Sequence, residues 1–307
     1  MHDLATEFET ERDRLTAVAY RMLGSWTEAE DVVQETWLRY AAALSDPRAR
    51  AEVRDLRAWL TTTAARLCLD VLRSARVRRE AYPGSWLPEP IVNQAAPAAA
   101  DGDPAERAVR TEQVGIALLT ILEQLSPEQR VAFVLHDVFA VPFPEVAAVL
   151  GTSPAAARQL ASRARRAISD ETARQPADPA EHRRLLAAFL AAAESGDLDR
   201  LLAVLAPDVV LVSDSGGLAP ANRRPIIGAL KIARFALGVL RRASWEVQNL
   251  RVQPVLVNDL PGLQVEGERL GQPLRGVIWC TTSGGRIARL YYQTNPEKLT
   301  RVPRLAP

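Results

Sequence analysis

Only two of the 307 residues are cysteine, Cys68 and Cys280, far apart and outside any C-x-x-C spacing. That argues against a structural zinc site or a disulfide framework and for a reducing, cytoplasmic setting. No apolar run approaches the length of a membrane span. The first turns carry Asp3, Glu7, Glu9, Glu11, Arg12, Asp13 and Arg14 where a signal peptide would be apolar. Charge of one sign is lacking as well, the net being +1. Split at residue 176, the front part holds 21 arginines against 25 acids, and the rest 17 basic against 12 acidic residues. Any nucleic-acid binding must therefore come from local basic faces rather than bulk charge. At 48% hydrophobic residues the chain is long and apolar enough for two or three units, each with a core.

What is present in front is helix. Residues 4–80 read as several helical pieces. From Thr27, "TEAEDVVQETWLRYAAAL" has the form of a capping box with Glu30, and Val33, Thr36, Trp37 and Tyr40 make one packed stripe. "SDPRARAEVRD" breaks the pattern. Helix resumes in "LRAWLTTTAARLCLDVLRSARVRRE", with Leu60, Ala64, Leu67, Val71 and Ala75 on one face and Arg66, Arg73, Arg76, Arg78 and Arg79 on the other. Residues 81–105 form a linker with five prolines and many alanines. Its "SWLPEP" is unusual, because a passive spacer has no use for Trp86 and Leu87. A second helical unit spans about 106–172, and 173–179 is a short linker. From 180 to 307 helices give way to strand-like runs near 208–214, 245–257, 274–282 and 286–294. The last pair is joined by "SGG", a hairpin signal, and the pattern implies an α+β domain with an antiparallel sheet.

The sharpest motif is "PFPEVAAVLGTSPAAARQLASRARRAI" (142–168). A short helix with Val146, Ala147 and Leu150 inward ends at Gly151, which can take a positive φ. Ser153 is an N-cap and Pro154 suits the first position of the next helix. Ala157, Leu160, Ala161, Ala164 and Ile168 form that helix's buried stripe. Ala155, Ala156, Arg158, Gln159, Ser162, Arg163, Arg165 and Arg166 remain outside. Arg158 and Gln159 can pair with base edges, with Ser162 near them, while Arg163, Arg165 and Arg166 suit phosphate. An αα-hairpin with a solvated basic face meets the same spacing. The Gly/Ser/Pro junction and the confinement of basic residues to the second helix favour a DNA-reading helix-turn-helix.

Three segments in order, "AYRMLGSWTEAEDVVQETWLR", "LRAWLTTTAARLCLDVLRS" and "LSPEQRVAFVLHDVFAVPFPEVAAVLGTSPAAARQLASRARRA", resemble regions two and four of bacterial extracytoplasmic-function sigma factors. The resemblance covers about residues 5–172. The rest is similar to the SnoaL-like, NTF2-fold extension of the sigma-J-type subgroup, in which a "WLPEP" linker also occurs. One departure is Leu67-Cys68, where many members have Arg-Asn. The fold implied is multidomain: all-α region 2 and region 4 modules followed by an α+β cone. The resemblance further implies that Asp31, Gln34 and Glu35 face the clamp helices of the polymerase β′ subunit. It implies that Arg66, Arg73, Arg76 and Arg79 hold the melted −10 strand, with Trp59 either core or a stacking platform. Ser153, Ala155, Arg158, Gln159, Ser162, Arg163 and Arg166 would meet the double-stranded −35 element. Partners would be core RNA polymerase and promoter DNA, with no membrane, cofactor or metal.

SnoaL-like folds include cyclases and isomerases, which need a base poised in an apolar cone. The three histidines, His2, His136 and His182, fall on none of the strand-like runs. Asp214 in "SDSGGLAP" reads first as the closure of a Gly-rich turn, which leaves no catalytic residue. Trp245, Trp279, Tyr291 and Tyr292 are core or pocket aromatics, and the cone could hold a small-molecule ligand. The subgroup's pairing of features suggests that Trp86, Leu87 and Pro88 dock on the cone near Asp214 and Asn295, forming an interdomain latch. A ligand-responsive DNA-binding regulator acting without polymerase, or a cyclase on a DNA tether, are the competing readings.

Overall fold

The computed structural model describes residues 4–80, 82–94, 115–172 and 179–305. Two units emerge, residues 1–81 with 121–169, and residues 82–120 with 170–307.

In the first unit α1 (Leu4–Leu23) ends at Gly24, whose φ of +69° turns the chain so that Ser25 arrives extended. The Ser25 hydroxyl accepts from the Glu28 amide at 3.2 Å and caps α2 (Trp26–Leu44). The expected cap at Thr27 is therefore displaced by two residues, because the glycine turn fixes where the helix can start. The expected break also holds a helix. Asp46 accepts from the Arg48 amide and starts α3 (Pro47–Glu52), with the proline at a first-turn position that needs no donor. On α4 (Leu56–Glu80) the buried stripe is Leu60, Ala64, Cys68 and Leu72 with Thr61, Ala65 and Leu69. Leu67 and Val71 are only half-buried, so the face is rotated from the expected one. Phe8, Trp37, Tyr40 and Trp59 form one aromatic cluster, with neighbouring centroids 5.2–6.1 Å apart. Burial, and then a 2.6 Å bond to Glu7, push the Tyr40 hydroxyl up to about 12.

Helix α5 (Ile116–Leu122) leads to α6 (Pro127–Phe133), which starts with a Ser126–Gln129 capping box and continues as a π-helical turn, Val134–Val138. Arg130 is 2% exposed. It donates to the Leu122 carbonyl, the Met22 carbonyl of α1 and the Glu123 carboxylate at 2.9, 3.0 and 2.6 Å. Desolvation pulls its pKa down to about 9, so these acceptors are what make its burial tolerable. His136 stacks on Phe143 at 3.8 Å, a packing role. Helices α7 (Phe143–Leu150) and α8 (Pro154–Thr172) complete the unit.

In the second unit a short strand, β1 (Val92–Gln94), comes from the linker. Then follow α9 (Pro179–Glu194), α10 (Leu198–Val204), β2 (Leu205–Asp214), β3 (Ile226–Ile227), α11 (Ala229–Glu246), β4 (Val247–Val257), β5 (Leu260–Arg269), β6 (Gln272–Ser283) and β7 (Arg286–Gln293). The seven strands order as β1-β4-β5-β6-β7-β2-β3. The sheet is mixed rather than wholly antiparallel, because β2 runs parallel to β7. The sequence pattern also passed over β5, which lies between two of the expected runs. Hairpins turn at Asn258–Asp259 (φ 45° and 66°) and Leu270–Gly271 (φ 53° and 74°), as well as at the expected Gly284–Gly285. One face of the sheet packs on the helices through Leu186, Leu201, Leu211, Ile232, Leu263, Cys280 and Leu290. The other receives the C-terminal segment, whose carbonyls at Leu299 and Val302 accept from Arg275.

Candidate DNA-reading surfaces and a buried linker site

The helix-turn-helix is built as its residues require. Gly151 takes φ +63° at the end of α7, and its amide returns to the Ala147 carbonyl. Ser153 accepts from the Ala156 amide at 3.2 Å. Val146, Ala147, Ala157, Ala161, Ala164 and Ile168 are buried, and the small residues let the two helices approach closely. Val149 takes the inward position expected of Leu150, which is half-buried. Ala155, Arg158, Gln159, Arg163, Arg165 and Arg166 are exposed and Ser162 half-buried. The Arg158 guanidinium rests 5.4 Å from the Phe143 ring centre, while Arg165 pairs with Asp137 at 3.1 Å.

The arginines of α4 are differently engaged. Arg66 donates to the Ala148 carbonyl of α7 at 2.9 Å, and Arg73 pairs with Glu128 of α6 at 3.1 Å. Each guanidinium keeps N–H donors beyond these bonds, so a phosphate would have to share Arg66 and Arg73 with partners inside the unit. The side chains of Arg76 and Arg79 lie outside the described residues. Trp59 belongs to the aromatic cluster and also lines a shallow groove with Arg39, Ala42, Ala43, Thr63 and Arg66. On α2, Asp31 and Gln34 are exposed and Glu35 is half-buried, paired with Arg39 at 2.9 Å. Leu38 completes that face at 60% exposure. Sequence reading passed over it, although its i, i+3, i+4, i+7 relation to Asp31, Gln34 and Glu35 was the available signal.

The linker site lies wholly in the second unit, around Asp214, whose side chain has no solvent exposure. One carboxylate oxygen accepts from the Tyr82 hydroxyl at 2.6 Å and the Gly216 amide at 3.0 Å. The other accepts from the Leu87 amide at 2.8 Å, the Lys298 ammonium at 2.7 Å and the Gln293 amide at 3.3 Å. Asp214 thus closes its glycine turn and binds the linker with the same side chain. Lys298 also donates to the Leu87 carbonyl at 2.7 Å and sits 3.9 Å from the centre of the Trp86 ring. Gln293 reaches the Leu87 and Pro88 carbonyls, both at 3.4 Å. Asn295 donates to the Tyr82 hydroxyl at 3.0 Å. Burial first, then the bond to Asp214, raise the Tyr82 hydroxyl well above its usual pKa, so it stays a donor. Leu87 is 1% exposed, and Pro88 and Pro90 are buried. Beyond them β1 adds to the edge of β4, Val92 opposite Val257, while Asn258 and Ile91 exchange two hydrogen bonds. Tyr82, Gln293, Lys298, Asn258 and β1 went unread in sequence. Lys298 lies inside "NPEKL", but a three-residue strand has no pattern to detect.

A helix-turn-helix with a basic second helix, an all-α module bearing arginines, and a cone gripping the linker define a multidomain DNA-binding transcription factor. The chain belongs to the extracytoplasmic-function RNA polymerase sigma factors. Residues 8–78 match the family model for Sigma-70 region 2, and residues 116–168 that for Sigma-70, region 4. Over 97% of its length the chain is 44% identical to the ECF RNA polymerase sigma factor SigJ of Mycobacterium tuberculosis, spanning 94% of that protein. The crystal structure of that organism's extracytoplasmic function sigma factor SigJ superimposes with a TM-score of 0.74 at 40% identity, covering 97% of this chain and 99% of the other. The all-α region 2 and region 4 modules are followed by an α+β NTF2/SnoaL-like cone.

Proposed function

We propose that this sigma factor binds core RNA polymerase through the Asp31, Gln34, Glu35 and Leu38 face of α2. It sets α8 in the −35 major groove, and holds the melted −10 strand with Arg66, Arg73, Arg76 and Arg79. In this reading residues 1–80 are the polymerase and −10 module, 81–105 the linker, 106–172 the −35 module, 173–179 a second linker, and 180–307 the regulatory domain. The polymerase performs the phosphoryl transfer in the cytoplasm, and this chain is not an enzyme. The cone acts as an effector domain with a small-molecule ligand, and the linker is its handle.

The observation that carries the regulatory reading is the Asp214 hub, where five donors converge, two of them, the Tyr82 hydroxyl and the Leu87 amide, from the linker. A linker so held cannot take up another path without giving up the Tyr82 and Leu87 hydrogen bonds to a buried carboxylate and the Lys298 bond to the Leu87 carbonyl. The test is run-off transcription with core polymerase. Reversing charge at Asp31 and Glu35 together should weaken core binding and leave the fold intact, since like charge against a basic clamp costs several kcal/mol. Trp86→Ala with Leu87→Ala should change promoter activity and speed linker amide exchange. Unchanged exchange and transcription in that variant would sink the latch.

A further inference from the structure

Helix α11 carries an apolar stripe longer than the described residues cover. Ile232 and Ala233, in its first two turns, are buried. Past them Phe235 and Val239 are 36% and 46% exposed, and Ala236 and Leu240 only half-buried. An amphipathic helix ordinarily buries such a stripe along its length. Here the uncovered part lines a cavity of about 620 Å³ in the cone, opposite Leu263, Ile278 and Leu290 of the sheet. That volume lies within the range for drug-sized ligands, roughly 300–1,000 Å³.

The polar groups are few. Glu246 and Arg269 line one end and are paired with each other at 2.6 Å, and Arg242 stands 3.8 Å from the same carboxylate. Asn222 is occupied with the Ser213 hydroxyl and the Arg224 carbonyl. Tyr292 differs. Its ring lies across Gly276, where a Cβ would collide with it, and its hydroxyl has no hydrogen-bond partner among the described residues.

We propose that this cavity binds a neutral, largely apolar small molecule bearing one acceptor, such as a ketone, quinone or ester carbonyl, which takes the Tyr292 hydroxyl proton in a hydrogen bond. The assignment rests on reading the cone as an effector domain and gives that effector its chemistry. Burial pushes the Tyr292 hydroxyl up to about 12, so it offers a proton rather than a charge at neutral pH. A ligand carboxylate at the charged end would have to compete with Glu246 for its two arginines. Strand alternation also sets the cavity one residue from the linker site. Ser213 and Tyr292 lie on the cavity face, with Asp214 and Gln293 next to them on the other.

The test uses the full chain and Nile red, a neutral carbonyl-containing fluorophore, with oleate as the anionic comparison. Saturable one-to-one binding of Nile red is expected. Tyr292→Phe should weaken it about fivefold, as loss of one hydrogen bond does. Ala236→Phe, which fills the cavity, should abolish it. Gly238→Leu, on the rim where an added Cβ meets nothing within 4 Å, should weaken it in a helix that is no less stable. Oleate binding more tightly and losing that advantage in Arg242→Ala would overturn the neutral assignment. So would Nile red binding unchanged in Ala236→Phe, or a dimer that hides the site. Nile red binding that alters neither linker exchange nor run-off transcription would overturn the effector reading while leaving the ligand chemistry standing. Failure of the same wild-type preparation to initiate transcription would count against the sigma-factor mechanism alone.

Discussion

The recognition helix α8 and the Asp214 hub put arginine and aspartate to opposite uses. Arg158, Arg163, Arg165 and Arg166 are exposed, with at most one ring or carboxylate near each. Asp214 is buried and accepts from five donors. Water screens the first set, so each arginine adds little to stability and is available to a partner. The second is desolvated, so it tolerates no loss of a partner. Substitution on α8 should therefore damage binding without damaging the fold, whereas substitution at the hub should do both.

The largest expected effect is at the hub. Asp214→Ala leaves Lys298 buried without its counter-ion and should cost about 3–5 kcal/mol, read as faster amide exchange in β2, β7 and the linker. Exchange unchanged in that variant would erase the contrast. Next comes Arg158→Ala, which should cost about 1–3 kcal/mol in −35 binding at one base position and leave the melting temperature alone. Arg165→Ala should instead weaken all sequences alike and lower the salt slope by about one. An Arg158 variant with unaltered base preference would move base reading elsewhere on the helix.

Gly216→Ala should cost about 1–3 kcal/mol, since Gly216 has φ +59° and a Cβ there would stand 2.5 Å from the Asn295 amide nitrogen. Urea titration of the second unit's strands by exchange would show it. A smaller effect concerns pH. His182 is buried with Nε2 3.0 Å from the Cys280 sulfur, and burial lowers its pKa from the usual 6.5. The unfolded chain then takes up a proton near pH 6.5 that the fold refuses. His182's contribution is present above that pH and lost as pH falls below it, with a slope of up to about 1.4 kcal/mol per unit. His182→Gln should flatten the slope between pH 6.5 and 5.5, and an unchanged slope would assign it to other groups. Smallest of all is Glu128→Gln. The pair with Arg73 is largely exposed, so stability should move by less than about 1 kcal/mol, while an unhindered Arg73 should tighten binding to −10 single strand.

The helix-turn-helix was legible because everything it needs is local. Gly151 at positive φ, Ser153 as cap and the alanine stripe each act within a few residues. The start of α2 was misread because Gly24, outside the capping pattern, decides it. Of the four aromatics read as core or pocket, Trp245 alone is neither, and which of the others lines the cavity had a different cause. Trp245 is 69% exposed, and Trp279 stacks on Tyr291 on the face away from the cavity, which leaves Tyr292. Which strand face points to the helices depends on register, and a shift of one residue exchanges the faces.

From the sequence alone came the helical modules, the basic face of α8, the glycine turns and the apolar anchor in "SWLPEP", because propensity, capping and periodicity act over a few residues. Tertiary structure decided that β2 runs parallel to β7, that Lys298 meets Asp214 across 84 positions, and that β1 joins the edge of β4. It also decided that α4 spends Arg66 and Arg73 on α7 and α6. Those outcomes turn on which distant groups share a desolvated space. There an unpaired charge or amide is costly, and the partner that relieves it is chosen by the fold rather than by its neighbours in the chain.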